Sequence, residues 1–413
     1  MKVSFKTLGC KVNQAETQEM IRSLVREGID ISDDEPDFIV VNTCTVTGEA
    51  DHKSRKAIRN ALMGGTGNAK VVVTGCYARV APDDISAIPG VYSIDTEPDK
   101  DELLKKILRE KRAENTVIDV QNNQRTRAFV KVQDGCDNAC TYCIVPRARG
   151  VSRSRPADRV ISEIEKLVKN RSFNVAADLQ VGLPEVVLTG VNLGKYGNED
   201  ISLVDLLKQI LDLPGLGRVR LSSIEPEDID DDLLDVMANG IRDKAYICRH
   251  LHIPLQSGDD TILKAMARTY TSKDYARLIS KIGKSVPGIA ITTDVIVGFP
   301  GETVEQFDNT CRLVKELGLA RLHVFKYSPR PDTQAASLSG RLTNEESNRR
   351  SSILRDIGGR LEQAFKESQA GETLDVLVER KTNNMLTGLT DNYIKVNFKG
   401  PASKVGEISK VVL

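Results

Sequence analysis

The sequence predicts an α/β protein made of three successive units: a doubly wound parallel sheet, a partial (β/α)6 barrel, and a small antiparallel β-barrel. Three observations predict it. Short apolar runs alternate with helical patterns through about the first 120 residues and again, six times over, through the next 240 or so. A polar, weakly patterned stretch, residues 114–127, separates these two regions. Past residue 368 the helical pattern stops and short, partly alternating strands follow. The expected units are residues 1–122, 123–368 and 369–413.

In the first unit, KVSFKTL (2–8), FIVVNT (38–43) and VVVTG (71–75) read as strands. Between them lie helical patterns at 15–27, with Met20, Ile21 and Leu24 at helical spacing, and at 52–62. Strands separated by helices imply parallel pairing with crossovers. In the second unit the strands are AFVKV (128–132), EVVLTG (185–190), RVRLSSI (218–224), HLHIPL (250–255), AITTDVIVG (290–298) and RLHVFKY (321–327). Helices are expected at 157–169, 203–212, 230–238, 259–267, 273–283 and 303–317, and an extra polar stretch at 171–184. Six units make an incomplete barrel rather than a closed eight. In the third unit ETLDVLVER, MLTGLT, YIKVNF and EISKVVL are the strands. No repeat at a fixed period is present.

The 413 residues hold 58 basic and 58 acidic side chains, so net charge lends no support to nucleic-acid binding and any such surface must be local. No apolar run is long enough for a membrane span, and the N-terminal segment lacks an apolar signal core. A cytoplasmic location and no membrane partner are expected.

Of the eight cysteines, six carry the chemistry. Cys311 and Cys248 read as buried thiols. Cys136, Cys140 and Cys143 form a Cys-x3-Cys-x2-Cys loop after the first strand of the second unit, at the mouth where (β/α) folds place active sites. Three thiolates on one loop hold three corners of a 4Fe–4S cube. The fourth iron is left to chelate S-adenosylmethionine (SAM), whose reductive cleavage gives a hydrogen-abstracting radical. A zinc site would want a fourth ligand, and no His or Cys is close enough in sequence to supply an obvious one. Cys10, Cys44 and Cys76 are distant in sequence, yet each directly follows a predicted strand, in TLGC, VVNTC and VVTGC. Strand ends of a parallel sheet share one edge, so the three can converge on a second cluster with an open iron. A sulfur-carrying cluster beside a radical site suits insertion of sulfur at an unreactive carbon.

These segments resemble the methylthiotransferases of the radical SAM superfamily over nearly the whole chain. The resemblance lies in TLGCKVNQAE (7–16), VVNTCTVTGEAD (40–51), VVVTGCYAR (71–79), GCDNACTYCIVPRARG (135–150), LTGVNLGKYG (188–197), RLSSIEP (220–226), HIPLQSGDD (252–260), MARTY (266–270), DVIVGFPGET (294–303) and FKYSPRPDT (325–333). It implies two 4Fe–4S clusters, an auxiliary one on Cys10, Cys44 and Cys76 and the SAM cluster on Cys136, Cys140 and Cys143. It implies one SAM for the radical and another for the methyl group, and a TRAM-like RNA-binding barrel at the C-terminus. The string GCKVNQ resembles the branch acting on N6-threonylcarbamoyladenosine at tRNA position 37, in the anticodon loop; the branches acting on isopentenyladenosine or on a ribosomal-protein aspartate more often read GCQMN and GCPKN. An electron donor and a sulfur source are implied partners. Two departures stand out: Asp332 occupies a position where the family usually has Gly, and the C-terminal barrel is short. A non-catalytic reading, an Fe–S redox sensor or RNA-binding protein, is the alternative of a different class.

Several other residues are candidates. Tyr142 is placed to pack near the SAM adenine, and Thr189, Gly190 and Asn192 to contact SAM. Glu225, Gln256, Ser257 and Asp294 end later strands and are candidates for the same pocket. His250 and His252 alternate on one strand and are expected to point to opposite faces in structural roles. Arg147, Arg149, Arg153, Arg155 and Arg159 follow the cysteine loop and form a candidate grip on tRNA phosphates. Tyr393 and Phe398 are expected in the C-terminal barrel core.

Overall fold

A computed structural model of the chain describes residues 1–64, 69–110, 126–172, 182–198, 200–239 and 245–413. Most of the expected linker, and most of the polar stretch at 171–184, lie outside the described residues.

The N-terminal sheet has five parallel strands in the order Asp30–Ile31, Lys2–Thr7, Phe38–Thr43, Lys70–Gly75, Val91–Ile94. Alternation along the strands feeds two cores. Val3, Phe38, Val40 and Val72 pack on Met20, Leu24, Leu103 and Ile107. Ile39, Val41, Val71 and Val73 pack on Ile58, Ala61, Tyr77 and Ile85. Helices on both faces make the sheet doubly wound.

The first helix runs Lys11–Arg26, four residues earlier than periodicity predicts. Lys11–Gln14 carry no apolar stripe like that of Met20 and Leu24, so the pattern begins late. The first turn is fixed instead by polar bonds from Asn13, which is buried, to two loops.

The central unit has six main parallel strands in sequence order: Arg127–Lys131, Leu183–Thr189, Leu216–Leu221, His250–His252, Ala290–Val297 and Arg321–Lys326. A parallel bridge between Ser223 and His252 links the two halves of this arc. The helices pack outside through one large apolar core, and the 25-residue helix Asn344–Ser368 covers the last strand. The arc is the expected incomplete barrel.

The C-terminal sheet is antiparallel and curled, ordered Lys395–Lys399, Met385–Thr390, Thr373–Thr382, Ile408–Val412. Its tight hairpin turns at Asn383 and Asn384, both at positive φ, as a two-residue turn between twisted strands requires. It docks on the inner side of the barrel wall largely through its backbone. Fully buried Arg218 donates to the carbonyl oxygens of Asp375 and Leu389 at 2.8 and 2.9 Å, and Arg220 to those of Asp391 and Thr390 at 2.9 and 3.0 Å. Both arginines share the Glu185 carboxylate at 2.7 and 2.9 Å.

Two expectations are corrected here. His250 and His252 share a face, because residues two apart on a strand lie on the same side; both rings reach the Thr292 hydroxyl, at 3.2 and 2.9 Å. Tyr393 leaves the C-terminal sheet core and stacks on His250, ring centroids 4.1 Å apart, with the Arg220 guanidinium 5.3 Å from the centre of the Tyr393 ring.

Candidate active site

Cys10, Cys44 and Cys76 meet at the C-terminal edge of the N-terminal sheet. Cys10 directly precedes the first helix, Cys44 follows the third strand in order of sequence, and Cys76 opens a short helix after Lys70–Gly75. Asn13 sits at their centre. Its amide donates to the carbonyls of Leu8 and Thr43 at 2.9 and 2.8 Å, tying together the loops that carry Cys10 and Cys44. Its oxygen lies 3.8 Å from Cys10 Sγ and 4.0 Å from Cys76 Sγ. Gly9, at φ +96, leaves no room for a side chain: a Cβ there would stand 2.8 Å from Cys44 Cβ and 3.0 Å from its sulfur. Burial raises the Cys44 thiol and pushes that of Cys76 up to about 11.

The second set lies on the loop after Arg127–Lys131. Gly135, at φ +76, turns the chain, and the Cys136 amide bonds the Gly150 carbonyl at 3.1 Å to close the loop. Two sulfurs accept backbone N–H donors: Cys136 from Asn138 and Cys143 from Val145, each at 3.4 Å. Cys140 accepts from Arg268 Nη1 at 3.2 Å, and the same guanidinium pairs with Glu225. Burial pushes the Cys143 thiol up to about 12 and raises the Glu225 carboxyl. Three sulfurs with N–H donors and a guanidinium aimed at them suit a thiolate-held cluster, since such donors stabilise sulfur-borne negative charge. The first set fits a cluster on the same grounds of donor type and convergence: three sulfurs gather round one polar residue at an edge where Gly9 keeps space clear.

Arg149 joins the two sets. Its guanidinium bonds Glu16 and Asp134 at 2.9 Å each and the Asn13 oxygen at 2.5 Å. It is 4% exposed. The expectation that Arg149 grips phosphate is therefore corrected: its donors are used inside the protein, where an unpaired guanidinium would be costly. Arg155 is likewise turned inward, to Glu163 and the Lys131 carbonyl. Arg147, Arg153 and Arg159 are exposed. Arg147 pairs with Asp332, which has φ +60, a conformation where Gly is favoured.

The remaining candidates lie as follows. Tyr142 packs with Ile262, Met266, Phe299 and Ala335. Thr189 gives its hydroxyl to the Val130 carbonyl at 3.2 Å. Gly190 lies against Gln133, where a Cβ would meet Oε1 at 3.0 Å. Asn192 is buried with its side-chain oxygen unpartnered among the described residues. Gln256 is held at φ +65 with its amide on the Asp294 carbonyl, and Ser257 bonds Thr310. The Asp294 carboxylate lies 3.2 Å from His252 and 3.3 Å from His323; burial would raise it, but the two rings hold it low. Cys248 and Cys311 are buried thiols, as expected. Sequence reasoning missed Asn13, Arg268 and Lys11. All three fall within the quoted segments TLGCKVNQAE and MARTY, but a polar residue's long-range contacts have no signature of their own.

An open parallel barrel with a Cys-x3-Cys-x2-Cys loop at its mouth defines a radical SAM enzyme. Family models match in the same three parts: Uncharacterized protein family UPF0004 at residues 2–94, Radical SAM superfamily at 130–314 and TRAM domain at 367–412. A threonylcarbamoyladenosine tRNA methylthiotransferase of Bacillus subtilis is 38% identical over 99% of this chain and 93% of its own length, and one of Thermotoga maritima 35% identical over 99% and 93%. A tRNA-2-methylthio-N(6)-dimethylallyladenosine synthase of Endomicrobium trichonymphae is 32% identical over 98% and 96%. The chain belongs to the radical SAM methylthiotransferase family. It is a transferase whose cofactors are SAM and iron–sulfur. The fold is also similar to that of the radical SAM methyltransferase TsrM from Kitasatospora setae, with a TM-score of 0.54, 16% identity, and 81% of this chain and 77% of that one covered.

Proposed function

We propose that this protein adds a methylthio group to carbon 2 of N6-threonylcarbamoyladenosine at position 37 of tRNA, with two 4Fe–4S clusters. The observation that carries the proposal is the convergence of Cys10, Cys44 and Cys76 around Asn13, linked through Arg149 to the Cys136–Cys143 loop. Relatives named for threonylcarbamoyladenosine are 35–38% identical, against 32% for those named for dimethylallyladenosine, which favours the first substrate.

In this reading residues 1–122 hold the auxiliary cluster, 123–368 the SAM cluster and SAM, and 369–413 contact RNA. When bound, the clusters and SAM supply radical C–H cleavage and an iron site for sulfur. Arg268 and the Asn138 and Val145 amides stabilise charge on the SAM-cluster thiolates. Glu225 fixes Arg268, and Tyr142, Gly190, Asn192, Gln256 and Asp294 line the pocket for SAM. Arg147 and Arg153, exposed beside the mouth, contact tRNA phosphates. An electron donor and a sulfur source are required partners. No helix among the described residues is long and apolar enough to cross a membrane, and a cytoplasmic location suits a tRNA substrate.

The test is iron and sulfide content of anaerobically reconstituted wild type and a Cys10/Cys44/Cys76→Ala triple variant, with nucleoside mass spectrometry of tRNA after reaction. About eight irons falling to about four, together with loss of methylthio product but not of SAM cleavage, is expected. About four irons in both proteins would overturn the two-cluster reading.

A further inference from the structure

The inner face of the barrel beside Cys10 is lined by charged side chains, nearly all of them paired with one another. Arg218 and Arg220 share one carboxylate, Glu185. Asp294 is held by His252 and His323. Arg127 is paired with Glu379, and Arg249 with Asp391. Into this space the first helix of the N-terminal unit sends Lys11, the residue next to Cys10. Its Nζ lies 5.9 Å from the centre of the Tyr393 ring, which stacks on His250 and meets Arg220. Lys11 makes no hydrogen bond or ion pair among the described residues and is partly buried. The charged groups nearest Lys11 are Arg127 and Arg220 of its own sign and Glu185 and Asp294 of the opposite sign; each of those four is engaged in an ion pair, and Lys11 alone makes none among the described residues.

We propose that Lys11 is a specificity-determining residue whose ammonium, the unpaired cation next to the Cys10 site, pairs with a carboxylate on the substrate base. The inference rests on the substrate reading above and deepens it. A threonylcarbamoyl group attached to the adenine ends in a carboxylate; a dimethylallyl group at the same atom is uncharged. An ammonium with no internal partner rewards the first and is left desolvated by the second, so one residue both attracts and rejects. Tyr393 supports the ammonium from the C-terminal unit by a cation–π contact. The three units therefore meet at the substrate's charged end.

The experiment measures equilibrium binding of anaerobically reconstituted full-length protein to anticodon stem-loop RNAs. One RNA carries N6-threonylcarbamoyladenosine and a second the same group with its carboxylate converted to the amide. Wild type, Lys11→Gln and Lys11→Arg are compared, with iron content and methylthio product recorded for each. Wild type is expected to prefer the acid over the amide by roughly tenfold to a hundredfold, the size of one hydrogen bond to a charged group. Lys11→Gln loses that preference while keeping its iron, and Lys11→Arg retains most of it. A preference unchanged in Lys11→Gln overturns the proposal. So does a loss of affinity for both RNAs accompanied by loss of iron, which would make Lys11 a structural support of the Cys10 site. If wild type itself shows no preference and makes no methylthio product on the acid RNA, the substrate reading has failed and the role of Lys11 falls with it.

Discussion

Arg268 Nη1 stands 3.2 Å from Cys140 Sγ, and the other terminal nitrogen of the same guanidinium is engaged by Glu225. The arginine thus delivers a fixed positive charge to one thiolate of the cysteine loop and cannot rotate away from it. Burial favours the neutral form of these groups, so the pair is retained by mutual contact.

Arg268→Gln is expected to keep iron at the wild-type level while lowering the reduction potential of the SAM cluster by tens of millivolts, on the scale of about 59 mV per tenfold for a one-electron couple. Potentiometric titration followed by electron paramagnetic resonance checks it. An unchanged potential would show that the guanidinium serves packing alone.

Gly9→Ala should damage the first cysteine site selectively. The added methyl would collide with Cys44 and the φ of +96 is strained for any L side chain. The expected cost is about 1–2 kcal/mol of local strain, with iron content falling by about half. Colorimetric iron and sulfide assays read this directly, and intact SAM cleavage distinguishes a local fault from a folding one.

Arg149→Met removes the cross-link between the two cysteine sites and leaves the buried Glu16 and Asp134 with Lys131 alone, at 3.1 and 3.2 Å, as their shared cation. Loss of about 3–5 kcal/mol in unfolding free energy is expected, measured by denaturant titration. Because Arg149 is buried, the salt dependence of tRNA binding should keep its slope, whereas Arg153→Ala, at the surface, should reduce that slope by about one.

Glu185 gives the pH dependence of the docking between barrel and C-terminal sheet. Burial alone would raise its carboxyl, but Arg220 and Arg218 hold it down to about 2, below the 4.5 of a free glutamate. The native state therefore gains from its ionised form above about pH 4.5 and loses that gain as pH falls from 4.5 toward 2. Glu185→Gln should abolish this acid-labile part and destabilise the protein by about 3–5 kcal/mol at neutral pH. Limited proteolysis near residue 371, where the long helix gives way to the C-terminal sheet, reports the released unit.

Much of this architecture was legible because it is written in periodicity. The six central strands, the three edge cysteines and the change of pattern after residue 368 all follow from apolar spacing or from position relative to a strand. What escaped is polar and long-range. Asn13 looked like a loop residue ahead of the helix, yet its bonds to Leu8, Thr43 and Arg149 start that helix and gather the cysteines. Arg149 looked like one more member of a basic cluster. Its partners Glu16 and Asp134 are 133 and 15 residues away in sequence, and no local pattern announces a pairing at such distance. His250 and His252, two apart on a strand, share one face and the Thr292 hydroxyl, contrary to the expectation of opposite faces.

The buried centre of the C-terminal sheet's docking is made of main-chain oxygens. Arg218 and Arg220 take hold of residues 375 and 389–391 by atoms that every amino acid possesses. This part of the joint consequently reads the path of the chain and not its side chains. Side chains there are released for other tasks, as when Asp391 pairs with Arg249. An RNA-contacting module attached in this way can change its outward chemistry without altering the seat by which it is held.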